Sequence, residues 1–81
     1  MKYDFKPRGV CANRILIDID DGIIKDIEWN GGCNGNLKAV TSLVRNMPVG
    51  EVIDRLEGIK CGPKSTSCAD QLAQALKTYS K

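Results

Sequence analysis

The stretch Asn13-Arg14-Ile15-Leu16-Ile17-Asp18-Ile19-Asp20-Asp21-Gly22-Ile23-Ile24-Lys25-Asp26-Ile27-Glu28-Trp29 decides the fold. Ile15, Ile17 and Ile19 recur at period two with acids facing the other way, the pattern of a half-buried strand. Asp20-Asp21-Gly22 reads as a hairpin turn, because glycine supplies the positive φ that such turns need. Ile23 to Trp29 is the return strand, with Ile23, Ile27 and Trp29 expected on one side. A two-stranded ribbon with one apolar face needs a cover, and the rest of the chain must supply it.

Before the hairpin, Tyr3, Phe5 and Val10 surround Pro7 and Gly9, which predicts a short edge strand left by a turn. After it, Asn30-Gly31-Gly32-Cys33-Asn34-Gly35-Asn36 breaks the sheet. Leu37, Val40, Leu43, Val44 and Met47 then repeat at helical spacing and predict a helix over 35–46. Pro48 and Gly50 punctuate it. Val49, Val52, Ile53 and Leu56 predict a short second helix stopped by Gly58. Residues 59–66 read as a loop. The last helix is expected over 68–79, with Ala69, Leu72, Leu76 and Tyr79 on one face, Ser67 as its N-cap and Asp70 at capping-box spacing. Strands first and helices after predict an α+β domain: an antiparallel sheet of about three strands with two to three helices on one face.

With 81 residues there is room for one domain, residues 1–81. Hydrophobic residues at 42% and charged residues at 27% are ordinary for a globular protein. Aromatics are few (Tyr3, Phe5, Trp29, Tyr79), so the core rests on Ile, Leu and Val. Histidine is absent, which removes Ser/His/Asp triads, Cys–His pairs and imidazole ligands. A net charge of +2, without a basic run or an RNP-type aromatic stretch, argues against DNA or RNA as a partner. No apolar run reaches the roughly 18 residues a membrane-spanning helix needs, so no membrane role is expected. Met1-Lys2-Tyr3-Asp4 opens without an apolar h-region, so the expected compartment is reducing cytoplasm. There, four cysteines argue for metal or redox chemistry before structural disulfides.

Cys11, Cys33, Cys61 and Cys68 all fall at predicted junctions rather than on apolar faces, where packing cysteines belong. Cys33 and Cys68 sit at helix starts, where unpaired backbone N–H groups favour a thiolate. Gly31, Gly32, Gly35 and Gly62 let the backbone come close to an ion or ligand. The spacings are 22, 28 and 7 residues, with no Cys-x-x-Cys, so no standard zinc-finger or thioredoxin signature applies. Spacing leaves metal binding, disulfides and unpartnered thiols open. Small size favours a metal, since one core in so short a chain rarely supplies more than about 3–5 kcal/mol. Asp18, Asp20 and Asp21 read as a solvated acidic hairpin edge before a cation site. Gly32, Asn34 and Gly35, in the glycine turn, are candidate nucleotide- or anion-binding positions, although the Walker Lys-Ser/Thr ending is missing. Asn34 and Asn36 also suit helix caps, Lys60 and Lys64 flank Cys61, and Trp29 is expected to be a core lid.

Three segments resemble the TSCPD domain family: Pro7-Arg8-Gly9-Val10-Cys11; Gly31-Gly32-Cys33-Asn34-Gly35-Asn36-Leu37; and Gly58-Ile59-Lys60-Cys61-Gly62 running into Thr66-Ser67-Cys68-Ala69-Asp70-Gln71-Leu72-Ala73. Ala69 stands where the family has proline, and both suit an early helical position. The family occurs as free-standing proteins of this size and at the C-terminal end of vitamin-B12-dependent ribonucleotide reductases. The resemblance implies a four-cysteine metal-binding module with Cys11, Cys33, Cys61 and Cys68 as ligands, holding zinc or, alternatively, iron or an iron–sulfur cluster. Its implied partner is a ribonucleotide reductase or another redox or metal protein, with a homodimer left open. Reductase catalysis does not transfer, because 81 residues cannot build the radical-bearing barrel. A thiol-redox or nucleotide-binding accessory role to ribonucleoside-diphosphate reductase is the alternative. A fainter likeness runs to U-type iron–sulfur scaffold proteins, through Cys33 at its glycine turn and Lys64-Ser65-Thr66-Ser67-Cys68-Ala69-Asp70-Gln71-Leu72-Ala73. That family has histidine where this chain has Ser67, and Cys11 and Cys61 have no clear counterpart in it.

Overall fold

A computed structural model describes residues 2–10, 12–31, 34–60, 62–63 and 65–80, with Asn34 described by its backbone alone. Strands β1 (Lys2–Phe5), β2 (Ala12–Asp20) and β3 (Ile23–Gly31) precede helices α1 (Asn34–Val44), α2 (Val49–Leu56) and α3 (Cys68–Tyr79). The strands form one antiparallel sheet in the order β1-β2-β3. The α+β architecture expected from the sequence is the one observed.

Asp21 and Gly22 both take positive φ, 54° and 75°, as a two-residue primed turn demands. The register opposes Ile15 to Trp29 and Ile17 to Ile27, then slips so that Ile19 opposes Ile24. The slip leaves Lys25 as the extra residue of a bulge. Strict alternation from Ile27 would send Lys25 and Ile23 inward. With the bulge, Ile24 is buried, Lys25 is exposed and Ile23 is only half-buried. This corrects the inward placement of Ile23.

The core gathers Ile15, Ile17, Ile19, Ile24 and Ile27 from the sheet with Val44, Val49, Val52, Leu72, Ala75 and Leu76 from the helices. All three helices therefore cover the same sheet face. Arg14, Asp26 and Glu28 are exposed on the other, with the Asp4–Arg14 pair spanning β1 and β2 there at 2.5 Å. Helix α1 buries Leu37, Thr41 and Val44, at steps of four and three, against β3. Leu43 lies about a third of a turn off that line and is 75% exposed, contrary to its expected inward place. Thr41 fills the seam instead, accepting from Trp29 Nε1 at 2.9 Å. The half-buried indole packs against the core as the expected lid.

The α1–α2 connection shields the start of β3. Asn46 N donates to Ile24 O at 2.7 Å, Ile24 N to Met47 O at 3.0 Å, and Val49 N to Gly22 O at 2.9 Å. These bonds satisfy backbone groups that an edge strand otherwise leaves open. At the far end of α3, Tyr79 meets Tyr3 of β1 edge-to-face, with centroids 5.6 Å apart. Among the described residues, no helix is long and apolar enough to cross a membrane.

Candidate functional site

Helix α3 begins where the sequence predicts. Ser67 is extended (φ −146°), and its Oγ accepts from Asp70 N at 3.1 Å, which satisfies one orphan donor of the first turn. The same hydroxyl donates to Ile59 O at 2.6 Å. One side chain thus caps the helix and pins the loop that enters it.

Asp70 departs from the capping-box expectation. Its carboxylate turns to the α2–α3 loop, accepting from Gly58 N at 2.8 Å, from the Thr66 hydroxyl and from Gln74 Nε2 at 3.3 Å. Burial pushes the Asp70 carboxyl up, but the Thr66, Gly58 and Gln74 hydrogen bonds and the Lys77 charge outweigh it. The net value falls below the usual aspartate range. Gly58 closes α2 with φ +86°, a conformation that favours glycine.

Gln71 reaches a third segment. Its Oε1 accepts from Arg8 N at 3.0 Å, and its Nε2 donates to Thr66 Oγ1 at 3.1 Å. Gly9 follows with φ +72°, and a Cβ there would stand 3.3 Å from Thr66 Cγ2. The turn between β1 and β2 therefore lies close against the start of α3. At the far end of the hairpin, Ala12 pairs with Gly31, so the chain enters β2 beside the point where it leaves β3.

These contacts join described neighbours of the four cysteines. Val10 and Ala12 flank Cys11, Gly31 and Asn34 bracket Gly32 and Cys33, and Lys60 and Gly62 flank Cys61. Cys68 is the first residue of α3, half-buried, and a free thiol among the described residues. Cys11, Gly32, Cys33 and Cys61 lie outside the described residues, as does Lys64. Asn34 opens α1, and Gly35 is exposed in its first turn with open space around it. Among the described residues, no group of three or more His, Cys, Asp or Glu side chains could hold a metal ion. The sequence reading gives Asp70 only a capping role and Thr66 and Gln71 none, so the hydrogen-bonded set that the three form escapes it. Its signal was a charged residue on the buried side of α3, between the N-cap and Leu72.

The TSCPD domain profile matches residues 1–80. The chain therefore belongs to the TSCPD domain family. Neither the curated proteins nor the solved structures include a match to it.

Proposed function

We propose that this protein is a four-cysteine metal-binding module serving ribonucleotide reduction. Cys11, Cys33, Cys61 and Cys68 would hold Zn²⁺ or iron as thiolates, and an S₄ donor set suits either. The observation that carries the reading is the hydrogen-bonded knot at the start of α3. Ser67, Asp70 and Gln71 hold Ile59, Gly58 and Arg8 beside the helix that Cys68 opens. Cys61 is two residues from Ile59 and Cys11 three from Arg8. At about 3.3–3.6 Å per residue, both tethers are short. Bound there, the metal would cross-link hairpin, loop and helix and add its binding free energy to folding.

The test is elemental analysis with thiol counting on one sample, purified from the cytoplasm without added metal. One zinc or iron per chain and thiols protected from a labelling reagent are expected. A preparation without either metal and with four freely labelled thiols overturns the proposal. The family likeness supports a ribonucleotide reductase as partner, and co-purification of the two tests it.

The half-exposed thiol of Cys68 at a helix N-terminus supports a second reading, in which Cys61 and Cys68 cycle between dithiol and disulfide. In that cycle both thiols lose their protons and two electrons pass to an oxidised partner disulfide as the Cys61–Cys68 bond forms. A Cys68→Ser variant that supports a reductase at the parent rate dismisses it.

A further inference from the structure

Asp70 is 7% exposed, and a buried carboxylate is costly unless its oxygens are satisfied. An apolar residue would continue the buried run of Leu72, Ala73, Ala75 and Leu76 without that cost. What the carboxylate adds is direction. One oxygen takes Gly58 N and Gln74 Nε2, and the other takes the Thr66 hydroxyl. Gln71 extends the same knot, bridging Thr66 Oγ1 and Arg8 N. Gly58 is three residues before Cys61, Arg8 three before Cys11 and Thr66 two before Cys68. The knot therefore touches every chain segment that leads into those three cysteines, and its hydrogen bonds run between nitrogen and oxygen atoms alone.

We infer that Asp70 and Gln71 are positioning residues for the thiol site, holding the chain neighbours of Cys11 and Cys61 at the start of α3 through hydrogen bonds of their own. What the site holds rests on the four-cysteine reading above, whereas the tethers stand on their own contacts. Segments held by contacts that do not depend on the metal pay less conformational entropy on binding. Outer groups that orient ligands typically change metal affinity 10–100-fold.

The experiment compares the metal-free full chain with Gln71→Leu, Asp70→Asn and Asp70→Ala, and with Asp4→Asn on the outer sheet face as control. Zn²⁺ affinity is read by competition with a chromophoric chelator, and amide hydrogen exchange at Arg8 and Gly58 is read on the same samples. Gln71→Leu should lose protection at Arg8, Asp70→Ala should lose it at Gly58, and each should bind Zn²⁺ about ten-fold or more weakly. Asp70→Asn keeps one acceptor oxygen and should fall between Asp70→Ala and the parent, while Asp4→Asn matches the parent. Unchanged protection overturns the inference. So does lost protection with Zn²⁺ affinity within about two-fold of the parent, a change well short of the expected range. A parent chain that binds no Zn²⁺ sinks the metal reading alone. The inference is then decided by the equilibrium constant for oxidising the thiols with glutathione. Gln71→Leu and Asp70→Ala should shift that constant about ten-fold, and an unshifted constant overturns the inference. If the Asp70 variants do not fold, Gln71→Leu at its half-buried position decides the question.

Discussion

The indole Nε1 of Trp29 donates to Thr41 Oγ1 at 2.9 Å, and the Thr41 hydroxyl in turn donates to Leu37 O at 2.9 Å. This relay fastens α1 to the end of β3, joining elements that flank Gly32 and Cys33 in the sequence. Thr41→Val keeps the shape but strands the indole N–H and removes the second bond. A hydrogen bond of this kind contributes about 0.5–1.5 kcal/mol, so the urea midpoint should fall accordingly. Trp29 emission should shift with it, and an unchanged midpoint would show that the relay contributes nothing.

Leu76 and Leu43 offer a matched comparison on two helices. Leu76 is fully buried in the core, whereas Leu43 is 75% exposed. Leu76→Ala should cost about 2–5 kcal/mol through lost transfer energy and a cavity. Leu43→Ala should stay within about 0.5 kcal/mol. Chemical denaturation of both variants checks this, and equal costs would contradict the packing described.

Ser67→Ala removes the acceptor for Asp70 N and the donor to Ile59 O together. Loss of an N-cap side chain typically costs about 0.5–2 kcal/mol, and this one should fall toward the upper end because it serves two elements. Ser67→Asp restores the acceptor but not the donor, so it should recover only part of the loss. Thermal melts of the two variants measure the split.

Acid should destabilise the fold through three carboxylates. The Arg14 hydrogen bond holds Asp4 below the ordinary aspartate value of 3.8. Arg45, joined by the Ile27 N–H, does the same for Asp26. Asp70 lies below that value because its hydrogen bonds and the Lys77 charge outweigh burial. Each carboxyl binds its proton less tightly folded than unfolded. Their stabilisation is therefore complete above 3.8 and is lost as pH falls below it through the folded values. The two exposed ion pairs are screened by salt, so at high ionic strength the acid limb should belong mainly to Asp70. A denaturant midpoint followed against pH should show a flatter limb for Asp70→Asn, and an unaltered limb would remove Asp70 from the account.

Much of this was legible in residue order. The isoleucine alternation and Asp21-Gly22 specify the hairpin, and the bounds of α2 and α3 follow from Gly58 and the Ser67 cap. Ile23 was misread because a bulge is a two-strand property: Lys25 becomes the extra residue only when Ile19 pairs with Ile24. Leu43 was misread because helical spacing does not say which residues of a broad stripe meet the sheet. The Trp29–Thr41 bond, invisible in either segment alone, selects them.

Local pattern alone determined the element order, the antiparallel ribbon, the aliphatic core and the place of Cys68 at the start of α3, because each depends on neighbours within a few residues. Tertiary structure decided that Asp70 and Gln71 gather the 7–10 turn, the α2–α3 loop and the start of α3 into one knot. Those hydrogen bonds join residues up to 63 positions apart, a separation over which no periodicity in the chain carries information.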